Sequence, residues 1–352
     1  MIEDLAIFGI CGWSGSGKTT LIEKLAARFC AEGLRIAVAK HDAHGIAMDP
    51  AGKDSDLLFR AGADVFLSAP GGELIRLHAP GGEAREAAWR SLATRYDLVL
   101  VEGHKRLPFT KVWLLRDGDP GPPEGIEGIA IILGRETDRE EAVLPMIRDF
   151  LHARWLAPPL YGCVLFGGES RRMGTAKHLL PVEGGSETWL ERTVRLLERR
   201  CCRVVIAGRG EIPAALSAHP RLEDVPGAEG PLAGVLAAMR WNPEACWLVA
   251  ACDLPGLTDE ALEWILAQRR PGVWVVLPRI EGTDRVEPLL AGYDVRSRAI
   301  LEDLVLSGRF GLKSLAGHAR VRIFTVPPHL AGAWGDVDTP EGLARQRAAG
   351  QG

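Results

Sequence analysis

The run Gly12-Trp13-Ser14-Gly15-Ser16-Gly17-Lys18-Thr19 constrains this chain more than any other stretch, because it matches G-x-x-x-x-G-K-[ST] in full and lies between a strand pattern and a helix pattern. Residues 5–10 form a continuous apolar run, suited to a parallel strand covered on both faces. After the motif, Leu21, Ile22, Leu25 and Phe29 fall on one helical face, and Gly33 stands where a C-terminal cap is expected. Strand, loop and helix thus come in the order of a phosphate-binding loop, which belongs in a parallel α/β sheet. In that geometry Gly12, Gly15, Ser16, Gly17 and Thr20 line the nucleotide, Lys18 reaches the β and γ oxygens, and the Thr19 hydroxyl binds Mg²⁺.

The rest of the first half supports such a sheet. Residues 35–40 form the next strand, and residues 97–103 read as a buried strand that ends in Glu102, a metal-side carboxylate placed to position Mg²⁺ or a water. The alternative is that Glu102 only caps its loop. Residues 111–115 and 129–133 are two further apolar strands. Between them, Asp117-Gly118-Asp119-Pro120-Gly121-Pro122-Pro123 excludes regular structure and reads as the most mobile segment of this half. A helix from about Thr137 places Ala142, Ile147, Phe150 and Leu151 inward. Trp155-Leu156-Ala157-Pro158-Pro159 then reads as a linker, since each proline lacks a donor and disfavours helix before it. A length of 352 residues suits two or three domains. We divide the chain into a domain at 1–155, a linker at 156–159 and a domain at 160–352.

The second half opens on another candidate phosphate seat. An apolar run over 161–165 enters Phe166-Gly167-Gly168-Glu169-Ser170-Arg171-Arg172-Met173-Gly174-Thr175-Ala176-Lys177, where glycines admit an anion to backbone N–H groups and Arg172 and Lys177 supply charge. An ordinary turn with solvated cations is the plainer alternative. Ser186 is a candidate cap for a helix that buries Leu190, Val194 and Leu197, and residues 204–207 form a strand ahead of Arg209. Residues 247–251 are a fully apolar strand that delivers Asp253 to its C-terminal edge, where open α/β sheets bind ligands. Asp253 is therefore the candidate Mg²⁺ ligand, because Thr258 already serves as cap for the next helix. Residues 286–293 look like the late strand of a known family, and 298–306 like a helix beside that family's second substrate.

These strings carry a resemblance. Residues 165–177 resemble the L-x-G-G-x-S-x-R-M-G-x-x-K signature of the molybdopterin guanylyltransferase (MobA) family, which usually has a small residue where Phe166 stands. Asp224 followed by Gly230-Pro231-Leu232-Ala233-Gly234 resembles that family's D-x(n)-G-P-L-A-G segment. Residues 335–343 resemble its N-x-N-T-P-E-D-L segment, with Asp336 and Asp338 replacing both asparagines. In the first half, His41, His44 and the run Gly52-Lys53-Asp54-Ser55 resemble the K-H-x-x-H and G-K-D-S of the MobB family, the P-loop partner in molybdopterin guanine dinucleotide synthesis. The resemblance implies two three-layer α/β/α domains with mainly parallel sheets, a P-loop NTPase fold and a Rossmann-like nucleotidyltransferase fold. It implies transfer of GMP from Mg·GTP to molybdopterin, with or without molybdenum, giving the guanine dinucleotide and pyrophosphate, and a fused GTP-binding domain with weak GTPase activity. The site it implies comprises Leu165, Gly167, Gly168, Ser170, Lys177, Asp224, Gly230 and Asp253 for GTP, with Arg172, Lys177 and Asp253 catalytic and Asp253 and Asp338 on the metal. A cytidylyl or sugar nucleotidyltransferase, or a nucleotide-binding regulator without catalysis, remains the alternative. Contact with molybdoenzyme maturation proteins and homo-oligomerisation stay open.

Composition narrows the partners. The net charge of −4 divides into 19 basic and 23 acidic residues over 1–157 and 23 of each beyond, so neither half is a basic nucleic-acid binder. No apolar run approaches the ~20 residues needed to span a bilayer, and the N-terminus lacks a positive leader, so a cytoplasmic location is expected. The seven cysteines form no C-x-x-C pair and read as reduced core thiols.

Overall fold

The computed structural model describes residues 4–40, 54–70, 72–76, 78, 82–167, 177–182 and 185–335. It divides into two units, residues 1–151 and 152–352, each with its own core.

In the first unit the elements are β1 (Ile7–Gly12), α1 (Lys18–Ala31), β2 (Ile36–Lys40), α2 (Asp54–Arg60), β3 (Val65–Ala69), β4 (Gly72–Arg76), α3 (Gly82–Ala93), β5 (Leu98–Glu102), β6 (Lys111–Leu114) and β7 (Ile129–Leu133). They are followed by α4 (Arg139–Leu156). The main sheet has the order β2-β5-β1-β6-β7 and is parallel throughout, while β3 and β4 form a separate antiparallel pair. β1 and β5 are almost wholly buried, as apolar strands covered on both faces must be. α1 buries the expected Leu21, Ile22, Leu25 and Phe29, packed with Val143, Leu144, Ile147 and Leu151 of α4 on one face of the sheet. Trp89 of α3 covers the other face. Gly33 adopts φ +87° and returns its N–H to the Cys30 carbonyl, closing α1.

α4 runs to Leu156, further than the sequence suggested, and Trp155 is 1% exposed within the core of the second unit. The Arg296 guanidinium sits 4.2 Å from the centre of the Trp155 ring, and Asp294 Oδ1 accepts from Arg296 at 2.8 Å. A tryptophan with that much apolar area is packed where a core will take it.

The second unit continues with β8 (Leu160–Leu165), α5 (Trp189–Glu198), β9 (Arg203–Ala207), β10 (Arg221–Leu222), α6 (Pro231–Trp241), β11 (Cys246–Ala251), α7 (Asp259–Ala267), β12 (Val275–Ile280), β13 (Leu290–Tyr293), α8 (Ser297–Leu306) and β14 (Val321–Val326). The sheet order is β10-β9-β8-β11-β13-β12-β14, and β13 alone runs antiparallel to its neighbours. α6 and α8 cover one face, α5 and α7 the other. From β8 the chain builds outward to β9 and β10, then crosses back to β11, so β8 lies at the switch point where open sheets form a crevice. α5 begins two residues later than expected from Ser186. Its cap is Thr188, which accepts from the Glu191 N–H while Glu191 bonds back to the Thr188 N–H, a reciprocal box that Ser186 cannot form.

Candidate functional site

In the first unit β1 feeds the phosphate loop at the C-terminal edge of the sheet, and Gly15 and Gly17 adopt φ +72° and +90°, which no other residue takes without strain. Lys18 Nζ donates to the Trp13 carbonyl at 2.8 Å. Burial lowers the Lys18 pKa, opposed by the nearby Glu102 charge. Thr19 Oγ1 donates to Glu102 Oε2 at 2.9 Å, and Lys40 Nζ lies 3.5 Å from Glu102 Oε1. Glu102 thus faces the phosphate loop and β2 with both oxygens, which goes against a simple loop cap. A hydroxyl and a carboxylate at the phosphate end are hard oxygen donors of the kind that hold Mg²⁺ together with nucleotide phosphates. Ser16 is buried, its hydroxyl has no partner among the described residues, and it fills the space that a Cβ on Gly12 would need. Its side chain therefore packs the loop and leaves contact to the backbone. Thr20 is exposed on α1.

The sequence reading missed Arg139, the residue that pins this loop. Its guanidinium donates to the carbonyls of Ser16 at 2.6 Å and Leu115 at 2.5 Å, and its Nε donates to Gly134 at 2.7 Å, tying the phosphate loop to the ends of β6 and β7. Such a tie spans 123 residues and leaves no local pattern. The segment 117–123 is also more restrained than its composition suggests. Asp119 accepts from the Arg116 backbone and guanidinium, and the Trp13 indole donates to the Gly121 carbonyl at 3.0 Å.

In the second unit a cavity of about 480 Å³ opens at the crevice. Leu165, Phe166 and Gly167 reach it from the end of β8, Ala207 to Arg209 from β9, and Ala251 to Asp253 from β11. Gly230 and Pro231 bring the N-terminus of α6 to it, and Lys177 and Asp224 complete the charged lining. Lys177 Nζ stands 3.7 Å from Asp253 Oδ2, so two residues 76 positions apart are neighbours. Arg209 Nε lies 3.6 Å from Asp224 Oδ2, with the Arg209 side chain 81% exposed. Thr258 caps α7 by accepting from the Ala261 N–H, which leaves Asp253 without that duty. Its carboxylate fits a Mg²⁺ shared with substrate phosphates. Burial pushes the neighbouring Cys252 thiol up to about 12, so it stays neutral.

The Phe166 ring is packed beside the cavity by neighbouring side chains. Its ring meets His178 edge-on at 4.8 Å, Arg221 lies 5.7 Å from its centre, and His178 Nε2 is 2.7 Å from the Glu211 carbonyl. This layer holds the segment that carries Arg209. Gly208, at φ +141°, is required because a Cβ there would overlap the Phe166 carbonyl oxygen. None of His178, Gly208 and Arg221 carries a motif. The strand-end backbone is partly committed: the Leu165 carbonyl accepts from the Cys252 N–H and the Phe166 N–H donates to Ala207, each at 3.0 Å. α8 contributes no residue to the cavity lining. Gly168, Ser170, Arg172, His41, His44, Asp336 and Asp338 lie outside the described residues.

Comparison with known proteins adds two matches, one per unit. Residues 7–131 match the family model described as molybdopterin guanine dinucleotide synthesis protein B, and residues 162–321 match the MobA-like NTP transferase domain. A molybdopterin-guanine dinucleotide biosynthesis adapter protein of Haemophilus influenzae is 35% identical over 168 residues, which cover 44% of this chain and 92% of that protein. A probable molybdenum cofactor guanylyltransferase of Mycobacterium bovis is 36% identical over 168 residues, covering 42% of this chain and 83% of that protein. A solved structure, molybdopterin-guanine dinucleotide biosynthesis protein A from Archaeoglobus fulgidus, aligns with TM-score 0.45 and 23% identity over 54% of this chain and 98% of that one. The chain therefore belongs to both families at once, with a MobB-type P-loop unit followed by a MobA-like nucleotidyltransferase unit.

Proposed function

We propose that the second unit transfers GMP from GTP to the terminal phosphate of molybdopterin, forming molybdopterin guanine dinucleotide and releasing pyrophosphate. The observation that carries this reading is the convergence of Gly167, Lys177, Asp253 and the α6 N-terminus on one crevice at the C-terminal ends of β8, β9 and β11. The acceptor phosphate is already anionic, so its oxygen can attack the α-phosphorus without a strong general base. The new P–O bond forms as the bond to the β-phosphate oxygen breaks, and the electron pair leaves with pyrophosphate. Lys177 and the positive end of the α6 dipole neutralise charge on the triphosphate, and Asp253 would hold the divalent ion. Mg²⁺, when bound, supplies further charge neutralisation on the phosphates. Arg172 and Asp338 belong to the same proposal on resemblance alone, as do Gly168 and Ser170. The first unit is an accessory GTP-binding module with slow turnover, its Mg²⁺ held by Thr19 and Glu102.

Pyrophosphate release measured with GTP and molybdopterin tests the reading. We expect GTP to be preferred over ATP and CTP by at least ~100-fold, because each buried polar group left unpaired against the wrong base costs roughly 1–3 kcal/mol. Equal use of CTP would make the chain a cytidylyltransferase, and no release with any nucleotide would make the second unit a binding module.

A further inference from the structure

The loop between β5 and β6 is fixed by more contacts than a surface turn needs. The Gly103 N–H donates to the Ile10 carbonyl at 3.2 Å, and the Gly103 carbonyl accepts from Cys11 Sγ at 3.1 Å, which ties the start of the loop to β1 just before Gly12. His104 follows at φ +49°, the one non-glycine residue with positive φ among the described residues. It is kept there by the Leu107 N–H, which bonds its carbonyl at 3.0 Å, and by Trp89, which its ring meets edge-on at 5.3 Å. Lys111 is fully buried at the start of β6, and its Nζ donates to the carbonyls of Lys105 at 2.9 Å and Leu107 at 2.5 Å. A buried ammonium committed to two backbone carbonyls holds the loop from beneath. The side chain so presented is that of Lys105. Its Nζ lies 4.2 Å from the centre of the Trp13 ring and 5.2 Å from that of Trp113, two rings that meet edge-on at 5.9 Å. Trp13 belongs to the phosphate loop, and its carbonyl accepts from Lys18 Nζ, so two ammonium groups flank one loop residue. Burial is the main cause of the lowered Lys18 pKa, and the Lys105 charge lowers it further. Lys105 has no acidic partner among the described residues, and Glu102, three positions before it, has its oxygens on Thr19 and Lys40.

We propose that Lys105 is a second cation of the phosphate site in the first unit and that it contacts the terminal phosphate of a bound nucleoside triphosphate. Lys18 marks where that phosphate lies, because the lysine of this motif reaches the β and γ oxygens, and Lys105 stands over the residue to which Lys18 is bonded. Two ammonium groups this close repel each other, and an anion between them converts the repulsion into two charge-assisted hydrogen bonds. The face of Trp13 gives the Lys105 ammonium a resting place, and its flexible stem lets it leave the ring for the phosphate. A diphosphate ends at the β oxygens and is left to Lys18 and the loop amides, so Lys105 gives this unit its preference for a triphosphate. The inference rests on the first unit binding a nucleotide, and it adds the phosphate state that this unit prefers and the residue that selects it.

Calorimetry on the full chain with GTP and with GDP tests this, the first-unit site being the one that Lys18→Ala weakens. Lys105→Met keeps the stem against Trp13 and removes the charge. It is expected to weaken GTP at that site by ~10- to 100-fold, the worth of a hydrogen bond to a charged group, and to leave GDP unchanged. Lys105→Arg should keep the preference for GTP over GDP. Lys105→Gln, which has a polar but uncharged end, should give the same split as Lys105→Met and replaces it if that variant does not fold. Equal loss of GTP and GDP in a variant with an unaltered melting profile would reduce Lys105 to a brace for the loop and overturn the proposal, as would unchanged GTP affinity. If Lys18→Ala in the otherwise unaltered chain leaves GTP binding unchanged at every site, the underlying reading of the first unit fails and the proposal with it, a result that no Lys105 variant gives.

Discussion

The two phosphate seats of this chain are built by opposite means. In the first unit a contiguous loop is tied down by bonds of its own: Lys18 is bonded to Trp13, Thr19 to Glu102, and Arg139 ties the loop to the ends of β6 and β7. In the second unit side chains from separate segments face each other at 3.6–3.7 Å, the Lys177–Asp253 pair largely buried and the Arg209–Asp224 pair more exposed. The exposed Arg209–Asp224 pair contributes little to stability, in the range ~0–1 kcal/mol. The comparison teaches that a seat held by backbone grips phosphate without changing shape, whereas a seat lined by paired charges from separate segments sets both signs of charge around the reacting phosphates beforehand. The first arrangement suits binding, and the second suits chemistry.

The largest effect that would break the comparison is expected at Asp253. Asp253→Asn should keep the fold and most GTP affinity while lowering transfer by ~100- to 1,000-fold, the scale on which losing one electrostatic stabiliser acts. Pyrophosphate release by a variant with an unaltered melting profile would measure it, and near-normal turnover would remove Asp253 from the site. Lys18→Ala comes next. It should weaken GTP at the first unit by ~10- to 100-fold, the worth of a hydrogen bond to a charged group, and leave transfer unchanged. A matching fall in transfer would show that the two seats are not separable. Arg139→Met keeps the stem and removes the donors, and about tenfold weaker GTP binding at the first unit is expected, from one or two lost bonds of ~1 kcal/mol each. Unaltered binding would show that Arg139 does not organise the loop.

The smallest effect is a pH dependence. Burial holds the Lys18 pKa below its ordinary value in the free protein, and an anionic triphosphate raises it again. The sign follows. Above the lowered pKa the free protein has lost the proton, so binding must take one up, and affinity falls as pH rises by up to ~10-fold per unit. Without nucleotide the same burial disfavours the ammonium in the folded state, so it costs stability at pH below the lowered pKa and the cost fades as pH rises through it. Titrations in buffers of different ionisation enthalpy would show proton uptake at the first site on the alkaline side. A flat profile there, or one that survives Lys18→Ala, would remove Lys18 as its source.

Much of the architecture was legible because its signals are local. The buried stripe of α1, Gly33 at its end, Pro231 in the first turn of α6 and Thr258 before α7 follow from periodicity and from backbone groups that need a partner within a few residues. Thr188 displaced Ser186 as a cap because the reciprocal bond to Glu191 decides between two nearby hydroxyl residues, and only the helix start fixes which one has it. Trp155 looked like the edge of a linker and is instead core, since two prolines show where a helix must have ended and say nothing about where a tryptophan packs.

The sequence alone showed two apolar strands that each run into a glycine-bearing loop, because glycine placement and a strand that ends in a loop are properties of consecutive residues. It also determined that Glu102 and Asp253 stand at strand ends. Only the tertiary structure decided what those groups face. Lys177 against Asp253, Arg139 behind the phosphate loop, and the Phe166, His178 and Arg221 layer beneath Arg209 join residues dozens of positions apart. Strand order sets such neighbours, and strand order is chosen by the packing of whole faces, so no window of the sequence contains it.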